Sequence, residues 1–344
     1  MEVSALDAKR VESYLDANLE GSRGPFSFTL FGSGGSNLTY LVEDTRGSRW
    51  VLRRPPTTDV LATAHDMARE WNVLQALNAM GGFPVPECLS YCSDSGVMGT
   101  EFYVMEYIPG PILRSQRDAL PLTSEEATHA ASSLVETQVA LHNIEFDGTG
   151  LRQPDRKEPY LRRQLRRWKK QVDDGSVRDV PLLYELHTFL CDTYRESGRQ
   201  ETLIHGDYRF DNVVLSPDFS VAAVLDWELS TVGDPVADFV WSSQYWADAG
   251  DEILWIPDAP TLAGNFPERR QIIDLYTEVS GRDLSDIDWL MVFSWWKQAC
   301  ISEGVHGRRA KGIRGGAASV SLSAIADRVD GVVRVAAGLA DQLL

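Results

Sequence analysis

The sequence predicts an α+β protein with two lobes. Short apolar runs separated by glycine and proline turns fill the chain up to Pro109 and Gly110, a pattern typical of strands. Beyond that point the apolar residues recur at helical spacing. A length of 344 residues allows either one large domain or two lobes. We therefore expect an N-lobe over residues 1–108, with a five-stranded antiparallel sheet and one inserted helix, and a mainly helical C-lobe over residues 109–344.

The elements of the N-lobe follow from the order of these patterns. Apolar residues at helical spacing predict a first helix over residues 4–20 and a second over residues 62–80. Between the two helices, FSFTLF, LTYLVED and RWVLRR predict three strands joined by turns. ECLSYCS and TEFYVMEYI predict two more strands after the second helix. Together these runs account for all five strands.

The C-lobe begins with a strong helix signal. Thr123 followed three residues later by Glu126 is a capping box, which predicts a helix over residues 123–142. Further helices are expected over residues 158–174 and 181–197, and from about residue 268 to the end. Between them, LIHGDYRFDNVVL and VAAVLDWEL predict a hairpin whose polar insertions carry a site.

Composition excludes several classes of function. Subtracting 50 acidic from 33 basic residues gives a net charge of −17, which argues against binding to nucleic acid or to an anionic membrane surface. No apolar run approaches the length of a membrane span. The first ten residues, MEVSALDAKR, lack the features of a signal peptide, and four cysteines are too few for a disulfide framework. We expect a cytoplasmic protein; its oligomeric state is left open.

One motif carries most of the chemical signal. His205-Gly-Asp207 is followed by Asn212 five residues after the aspartate, and Asp226 comes fourteen residues later still. Phosphoryl transfer from ATP needs a carboxylate beside the attacking hydroxyl and oxygen ligands that hold Mg²⁺ against the phosphates. Aspartate and asparagine side chains supply such oxygens. The spacing therefore indicates a phosphotransferase.

This motif resembles the signature of aminoglycoside-phosphotransferase-like and choline-kinase-like small-molecule kinases, and the resemblance covers about residues 25–310. It implies a protein-kinase-like bilobal fold, with ATP and Mg²⁺ as cofactors and a small-molecule hydroxyl as acceptor. It also implies that Asp207 is the catalytic base, that Asn212 and Asp226 bind Mg²⁺, and that His205 is a scaffold residue that holds the loop.

The N-lobe offers a candidate phosphate-binding cation. None of the six lysines lies in the predicted strands of this lobe. Arg53 fits the third strand, where a branch of the family carries arginine, and Glu70 on the following helix is its expected partner. The alternative is a solvated surface pair. The arginine guanidinium stays charged and can donate two hydrogen bonds to a pair of oxygen atoms, so it is a chemically acceptable substitute for lysine.

Two further segments are expected to contact the nucleotide. Backbone N–H groups of the glycine-rich loop between the first two strands would cover the phosphates, although a simple hairpin turn explains the glycines equally well. The end of the fifth strand resembles a hinge whose backbone bonds adenine. The residues concerned are Gly34, Gly35, Ser36 and Asn37 in the loop and Glu106 and Ile108 at the hinge.

A Gly-Asp-Pro-x-x-Asp stretch follows the candidate metal ligand, and the family carries a similar one. Asp234 and Asp238, four residues apart, are expected to cap a helix or to order the catalytic loop rather than to bind the metal directly. Glu228, two residues after Asp226, is a weaker candidate for contact with the metal or the substrate.

The acceptor is the least determined part of the prediction. Two basic stretches resemble the branch of the family that is fused to acyl-CoA dehydrogenases, which favours a hydroxyacyl-CoA or a hydroxy acid as acceptor. Their candidate substrate-binding residues are Arg162, Arg166, Lys297 and Arg308. A solvated, salt-bridged helix face is the simpler explanation of the first stretch. Two other functions stay open: an aminoglycoside kinase, and a nucleotide-binding pseudokinase in which Arg53 replaces the usual lysine.

Overall fold

The computed structural model describes residues 5–31, 37–56, 67–146, 158–313 and 320–344. Contacts along the chain divide it into two compact units. The first unit comprises Met1–Pro111 together with the short segments Asn212–Pro217 and Val221–Ser230. The second unit comprises Ile112–Asp211, Asp218–Ser220 and Thr231–Leu344. Each unit is described by itself below.

The first unit contains a five-stranded sheet in the order β1-β2-β3-β5-β4, in which every neighbouring pair is antiparallel. The predicted antiparallel sheet is thereby confirmed. In the register of the sheet, Arg53 on β3 lies opposite Thr39 on β2 and Tyr103 on β5. The strands are β1 (Ser27–Leu30), β2 (Leu38–Glu43), β3 (Arg49–Arg54), β4 (Cys88–Cys92) and β5 (Phe102–Glu106).

Three helices accompany the sheet: α1 (Ala5–Asn18), α2 (Met67–Met80) and α3 (Ser95–Met98). Val11 and Leu15 of α1 are fully buried in a cluster that includes Leu52 of β3. Residues 57–66, where the predicted second helix begins, lie outside the described part of the chain. The sequence did not predict α3, a single turn between two strands.

Two short ribbons carry the central motif. In the first unit, β7 (Val213–Leu215) pairs with β8 (Val221–Val224). In the second unit, β6 (Thr202–Ile204) pairs with β9 (Thr231–Gly233). The region predicted to form one hairpin therefore forms two antiparallel pairs.

The second unit is mainly helical. Its core consists of side chains from several helices, including Leu165, Leu186, Trp241 and Trp296. None of the helices in the described ranges is long and apolar enough to cross a membrane. The helices are α4 (Gln116–Ala119), α5 (Ser124–His142), α6 (Tyr160–Gly175), α7 (Pro181–Thr193), α8 (Pro235–Ser243), α9 (Arg269–Ser280), α10 (Ile287–Ala310) and α11 (Leu322–Asp341).

The capping box predicted at the start of α5 is present. The Thr123 N–H donates to Glu126 Oε2 at 2.7 Å, and the Glu126 N–H donates to Thr123 Oγ1 at 3.2 Å. The two bonds satisfy backbone donors that the first helical turn leaves unpaired. This local signal is why α5 begins where the sequence predicts.

Candidate active site

The loop that follows β6 carries His205 and Asp207, and a buried carboxylate from α8 fixes it. Asp238 accepts hydrogen bonds from the backbone N–H groups of His205 at 3.3 Å and Gly206 at 2.8 Å. The Asp207 N–H in turn donates to His205 Nδ1 at 3.3 Å. Because three consecutive residues are tied in this way, the backbone beneath Asp207 is rigid.

Asp238 is surrounded by further donors. Gln138 Nε2 and His142 Nε2 each lie 3.2 Å from Asp238 Oδ2. Burial alone would raise the pKa of Asp238, but the bonds from His142 and the loop lower it below its usual value. Burial lowers the pKa of His142, so the neutral imidazole donates from Nε2 to an ionised Asp238. The carboxylate thereby stays charged without exposure to water.

Asp234 has a separate structural task at the start of α8. Its Oδ1 accepts from the N–H groups of Val236 at 2.9 Å and Ala237 at 3.1 Å, which makes it the N-cap of the helix. Arg199 Nη2 lies 3.0 Å from Asp234 Oδ2 and 2.7 Å from Asp286 Oδ2. Both aspartates of the Gly-Asp-Pro stretch therefore occupy positions suited to a scaffold.

The Asp207 carboxylate is oriented by its own partners. Its Oδ1 accepts from the Tyr245 hydroxyl at 2.7 Å, and its Oδ2 lies 3.6 Å from Arg209 Nε. Burial, followed by the charge of Asp207, raises the pKa of Tyr245 well above its usual value. The tyrosine therefore keeps its proton and acts as a donor. About a fifth of the Asp207 side chain, 22%, is exposed, which leaves the carboxylate accessible.

In the first unit, the β7–β8 ribbon brings Asn212 and Asp226 to neighbouring positions. The Leu225 N–H, one residue before Asp226, donates to the Asn212 carbonyl oxygen at 2.8 Å. Asp226 itself has φ 64° and ψ 69°, in the left-handed region that non-glycine residues rarely adopt. Such a conformation costs about 1–3 kcal/mol and tends to occur at functional sites.

Arg53 and Glu70 meet in the same unit. Arg53 Nη1 lies 3.1 Å from Glu70 Oε1, and Arg53 Nη2 lies 3.3 Å from Asp226 Oδ1. Burial alone would lower the pKa of Arg53, but the carboxylates of Glu70 and Asp226 raise it, so the side chain stays cationic. With only 7% of the arginine and 1% of the glutamate side chain exposed, the solvated surface pair does not describe this geometry. Arg54 points elsewhere and donates to the Met98 carbonyl oxygen at 3.4 Å.

The residues of the first unit fit a nucleotide with its divalent cation. Arg53 Nε is buried and has no hydrogen-bond partner among the described residues, so one donor of the guanidinium is unsatisfied. The described ranges contain no cluster of three or more His, Cys, Asp or Glu side chains arranged for a metal. Mg²⁺ does not require one, because it is commonly held by one or two carboxylates together with phosphate oxygens and water.

The other predicted nucleotide contacts are partly described. Gly34, Gly35 and Ser36 lie outside the described residues. Asn37 is buried, and its Nδ2 donates to Glu228 Oε2 at 3.4 Å. At the end of β5, the Glu106 N–H donates to the Glu87 carbonyl oxygen at 2.9 Å, and Ile108 is half-buried. The adenine-binding role of this segment stays a prediction.

The four basic residues predicted to contact substrate lie in different environments. Arg166 is exposed and paired with Glu158 at 2.6 Å, and the Arg162 guanidinium lies 4.6 Å from the centre of the Tyr194 ring. Both line an open groove of about 490 Å³. Arg308 is exposed near the end of α10. Lys297, on the same helix, is buried. The exposed salt bridge of Arg166 supports the simpler explanation of the α6 face.

Sequence reasoning missed several residues of this region. Tyr245, which donates to Asp207, lies 38 positions further along the chain, and no motif marks it. Gln138 and His142 lie four residues apart on α5, but nothing in the sequence indicates that their side chains contact Asp238. Arg209 lies inside the motif, and its guanidinium is 4.8 Å from the centre of the Tyr245 ring. The position of Arg209 in the motif, two residues after Asp207, is a signal from which its contact with Asp207 could have been predicted.

Comparisons with known proteins agree with this architecture. A family model described as the phosphotransferase enzyme family (APH) matches residues 27–271. Acyl-CoA dehydrogenase family member 11 from Gallus gallus is 36% identical over 312 residues, which are 88% of this chain and 40% of that protein. The chain thus spans about two fifths of the length of this relative and of its counterpart from Rattus norvegicus.

Solved structures support the fold. A candidate aminoglycoside phosphotransferase from Ralstonia eutropha is 28% identical with a TM-score of 0.79, covering 97% of this chain and 98% of its own. Choline kinase from Cryptosporidium parvum is 14% identical with a TM-score of 0.64, covering 97% and 96%. An amicoumacin kinase in complex with AMP-PNP and Ca²⁺ is 14% identical with a TM-score of 0.58, covering 96% and 92%. The predicted bilobal, kinase-like α+β fold is confirmed.

Proposed function

Because this chain belongs to the phosphotransferase enzyme family and is a small-molecule kinase, we propose that it transfers a phosphoryl group from Mg²⁺-bound ATP to a hydroxyl of a hydroxy acid or hydroxyacyl-CoA. The matched region, residues 27–271, contains the candidate catalytic base and both candidate metal ligands. The amicoumacin kinase bound to AMP-PNP and Ca²⁺ supports the choice of a nucleotide and a divalent cation. The family name alone leaves the acceptor open.

The geometry of Asp207 carries the proposal. Its Oδ1 accepts from the Tyr245 hydroxyl at 2.7 Å and its Oδ2 lies 3.6 Å from Arg209 Nε, and we assign this oriented carboxylate to the proton of the acceptor hydroxyl. Asp238 holds the backbone on which Asp207 sits. A base fixed in this way orients the attacking oxygen, and positioning supplies much of the rate in phosphoryl transfer.

The residues of the first unit are assigned to the nucleotide. Asn212 and Asp226 would hold Mg²⁺, and Arg53, ordered by Glu70 at 3.1 Å, would bind phosphate oxygens with its unsatisfied donor. When bound, Mg²⁺-ATP supplies the phosphoryl group and offsets the charge that develops on it. The buried Arg53–Glu70 pair argues against the pseudokinase, because it retains a cation–carboxylate pair of the kind that kinases use to position phosphates.

The proposed acceptor class rests on the name of a relative and on the charges near the candidate base. The relative with 36% identity is named an acyl-CoA dehydrogenase family member, which supports an acyl substrate. An aminoglycoside kinase is the second candidate, favoured by the description of the Ralstonia eutropha structure. Aminoglycosides are polycations, and Arg209 lies 3.6 Å from the candidate base. Because Arg209 Nη2 is also 3.5 Å from Asp211 Oδ2, two carboxylates offset its charge, so it would repel a cationic acceptor only weakly.

Replacement of Asp207 by asparagine tests the proposal. Loss of the base should reduce transfer by about 10²- to 10⁴-fold, while ATP binding is retained. Transfer is measured with labelled Mg²⁺-ATP and a panel of hydroxyacyl-CoAs, free hydroxy acids, aminoglycosides and choline. Asp192→Asn, an exposed position on α7, is the matched control. Transfer that survives in the Asp207→Asn protein would contradict the assigned role, and transfer to aminoglycosides alone would replace the proposed acceptor class.

A further inference from the structure

Lys297 on α10 is a buried cation without an anionic partner. Only 8% of the residue is exposed, and within the described ranges its ammonium takes part in no hydrogen bond or salt bridge. Its contacts are with aromatic rings: Nζ lies 3.6 Å from the centre of the Trp241 ring and 5.9 Å from that of Trp168. Burying an ammonium without an anion is costly, and cation–π contacts of this kind offset only part of that cost.

A chain of contacts links the Lys297 ammonium to the candidate catalytic base. The Trp241 ring is 6.3 Å from the Tyr245 ring, and the Tyr245 hydroxyl donates to Asp207. Three charged groups shift the pKa of the Lys297 ammonium: Arg167 from α6, Asp238 from α8, and Asp207. Burial, with a smaller effect of Arg167, lowers the pKa of Lys297 to about 8 against the opposing effect of the two carboxylates. At pH 7 the side chain is therefore mostly protonated.

A second unsatisfied donor belongs to the same aromatic cluster. The Trp255 ring lies 4.5 Å from that of Trp241 and 5.2 Å from that of Tyr245. Its indole N–H is buried and has no hydrogen-bond partner among the described residues. Buried donors are normally satisfied. An unpaired ammonium and an unpaired indole N–H in one apolar cluster are both suited to a ligand with an oxyanion and a hydrocarbon portion.

We propose that Lys297 binds an oxyanion of the acceptor, while the hydrocarbon portion of the acceptor packs against the aromatic cluster of Trp241 and Trp255. This inference rests on the proposed function, because it takes Asp207 as the base that receives the hydroxyl. It narrows the acceptor to an anionic molecule: the oxyanion is either the carboxylate of a free hydroxy acid or a phosphate of its CoA thioester. A polycationic acceptor would bring its positive charges next to the Lys297 ammonium and the Arg209 guanidinium.

The test replaces Lys297 with methionine, which keeps the length of the side chain and removes its charge. Steady-state transfer is measured with four acceptors of one chain length: 3-hydroxyoctanoate, its CoA thioester, its methyl ester and an amino alcohol. The matched control is Lys9→Met, an exposed position on α1. We expect KM for the bound anionic acceptor to rise about 10- to 100-fold in the Lys297→Met protein, with KM for ATP and for the methyl ester unchanged.

The pattern across acceptors identifies the source of the oxyanion. A change confined to 3-hydroxyoctanoate indicates a carboxylate, and a change confined to the CoA thioester indicates a CoA phosphate; either supports the inference. Equal kinetics of the wild-type and Lys297→Met proteins toward both anionic acceptors would overturn it. A preference for the amino alcohol would overturn it too.

The pH profile of the wild-type protein gives a readout that needs no variant. As pH rises through about 8, the Lys297 ammonium loses its proton, so KM for the anionic acceptor should rise while KM for the methyl ester stays level. A flat profile for the anionic acceptor would contradict the inference even if the Lys297→Met protein failed to fold.

Failure of the proposed function can be told apart from failure of this inference. Binding of 3-hydroxyoctanoate and of its CoA thioester is followed by tryptophan fluorescence, since Trp241 and Trp255 line the cluster. Saturable binding that weakens in the Lys297→Met protein supports the inference even if no acceptor is phosphorylated. Transfer to the methyl ester without binding of either anion would leave the kinase activity standing and overturn the role of Lys297.

Discussion

At the scale of single residues, the Asp207 carboxylate is controlled by groups that are distant in sequence. The motif from His205 to Asn212 contains the candidate residues, and its resemblance to the small-molecule kinases implies that Asp207 is the base. The orientation of its two oxygens depends on Tyr245, whose hydroxyl donates to Oδ1 at 2.7 Å. No pattern in the sequence links these two residues, because Tyr245 reaches the loop only through the packing around α8.

Tyr245→Phe isolates that hydrogen bond. The ring is kept, so its packing against Trp255 at 5.2 Å should hold the fold. Loss of a hydrogen bond to a charged group costs about 1.5–3 kcal/mol, so kcat should fall at least tenfold while KM for ATP stays unchanged. Steady-state kinetics measure the split, with Tyr184→Phe on α7 as the control. An unaltered kcat would show that Asp207 needs no help from Tyr245.

At the scale of elements, the sequence predicts helices more reliably than their contacts. The capping box at Thr123 and Glu126 predicts where α5 begins, because the hydrogen bonds that cap a helix join residues close in sequence. The close crossing of α10 and the end of α6 has no such signal. A Cβ on Gly307 would lie 2.2 Å from the Gly175 carbonyl oxygen. The glycine is therefore required by a neighbour more than 130 positions away in the chain.

Gly307→Ala should destabilise the protein, since the methyl group would meet backbone that cannot rotate away. Overpacking of this kind costs about 1–3 kcal/mol, which lowers Tm by several degrees. Gly338→Ala is the matched control, because it lies within α11 and a Cβ there has no neighbouring atom within 4 Å. That change should raise stability by up to about 1 kcal/mol. Thermal unfolding of both variants measures the contrast, and equal Tm values would refute the assigned crossing.

At the scale of the whole molecule, net charge is the dominant property. A balance of −17 at pH 7 makes the folded state repel itself, and salt screens that repulsion within about 8–10 Å at physiological ionic strength. Pairs with a buried member, such as Arg178 and the buried Glu303, 2.9 Å apart, are screened less. The repulsion between exposed carboxylates should therefore respond to salt more strongly than the internal ion pairs.

Stability should accordingly rise with ionic strength at neutral pH. Between 10 and 150 mM NaCl at pH 7.5 we expect Tm to increase by roughly 1–3 °C, of the order that 1–2 kcal/mol produces at this chain length. Near the sequence pI of about 4.8 the net charge vanishes, so the salt effect should vanish with it. Differential scanning fluorimetry at both pH values provides the measurement. A Tm that falls with salt at pH 7.5 would mean that exposed ion pairs outweigh the net repulsion.

The sequence by itself predicted the fold class, most of the strands and helices in chain order, and the candidate residues for phosphoryl transfer. These follow from local patterns: alternation in strands, helical spacing, a capping box, and an aspartate and an asparagine five residues apart. Only the tertiary structure decided that Arg53 is buried against Glu70, that Asp238 holds the loop of Asp207, and that Lys297 packs against tryptophan rings. Burial and the partners of a charge arise from contacts between distant segments, and these contacts decide the energy of a charge in the folded protein.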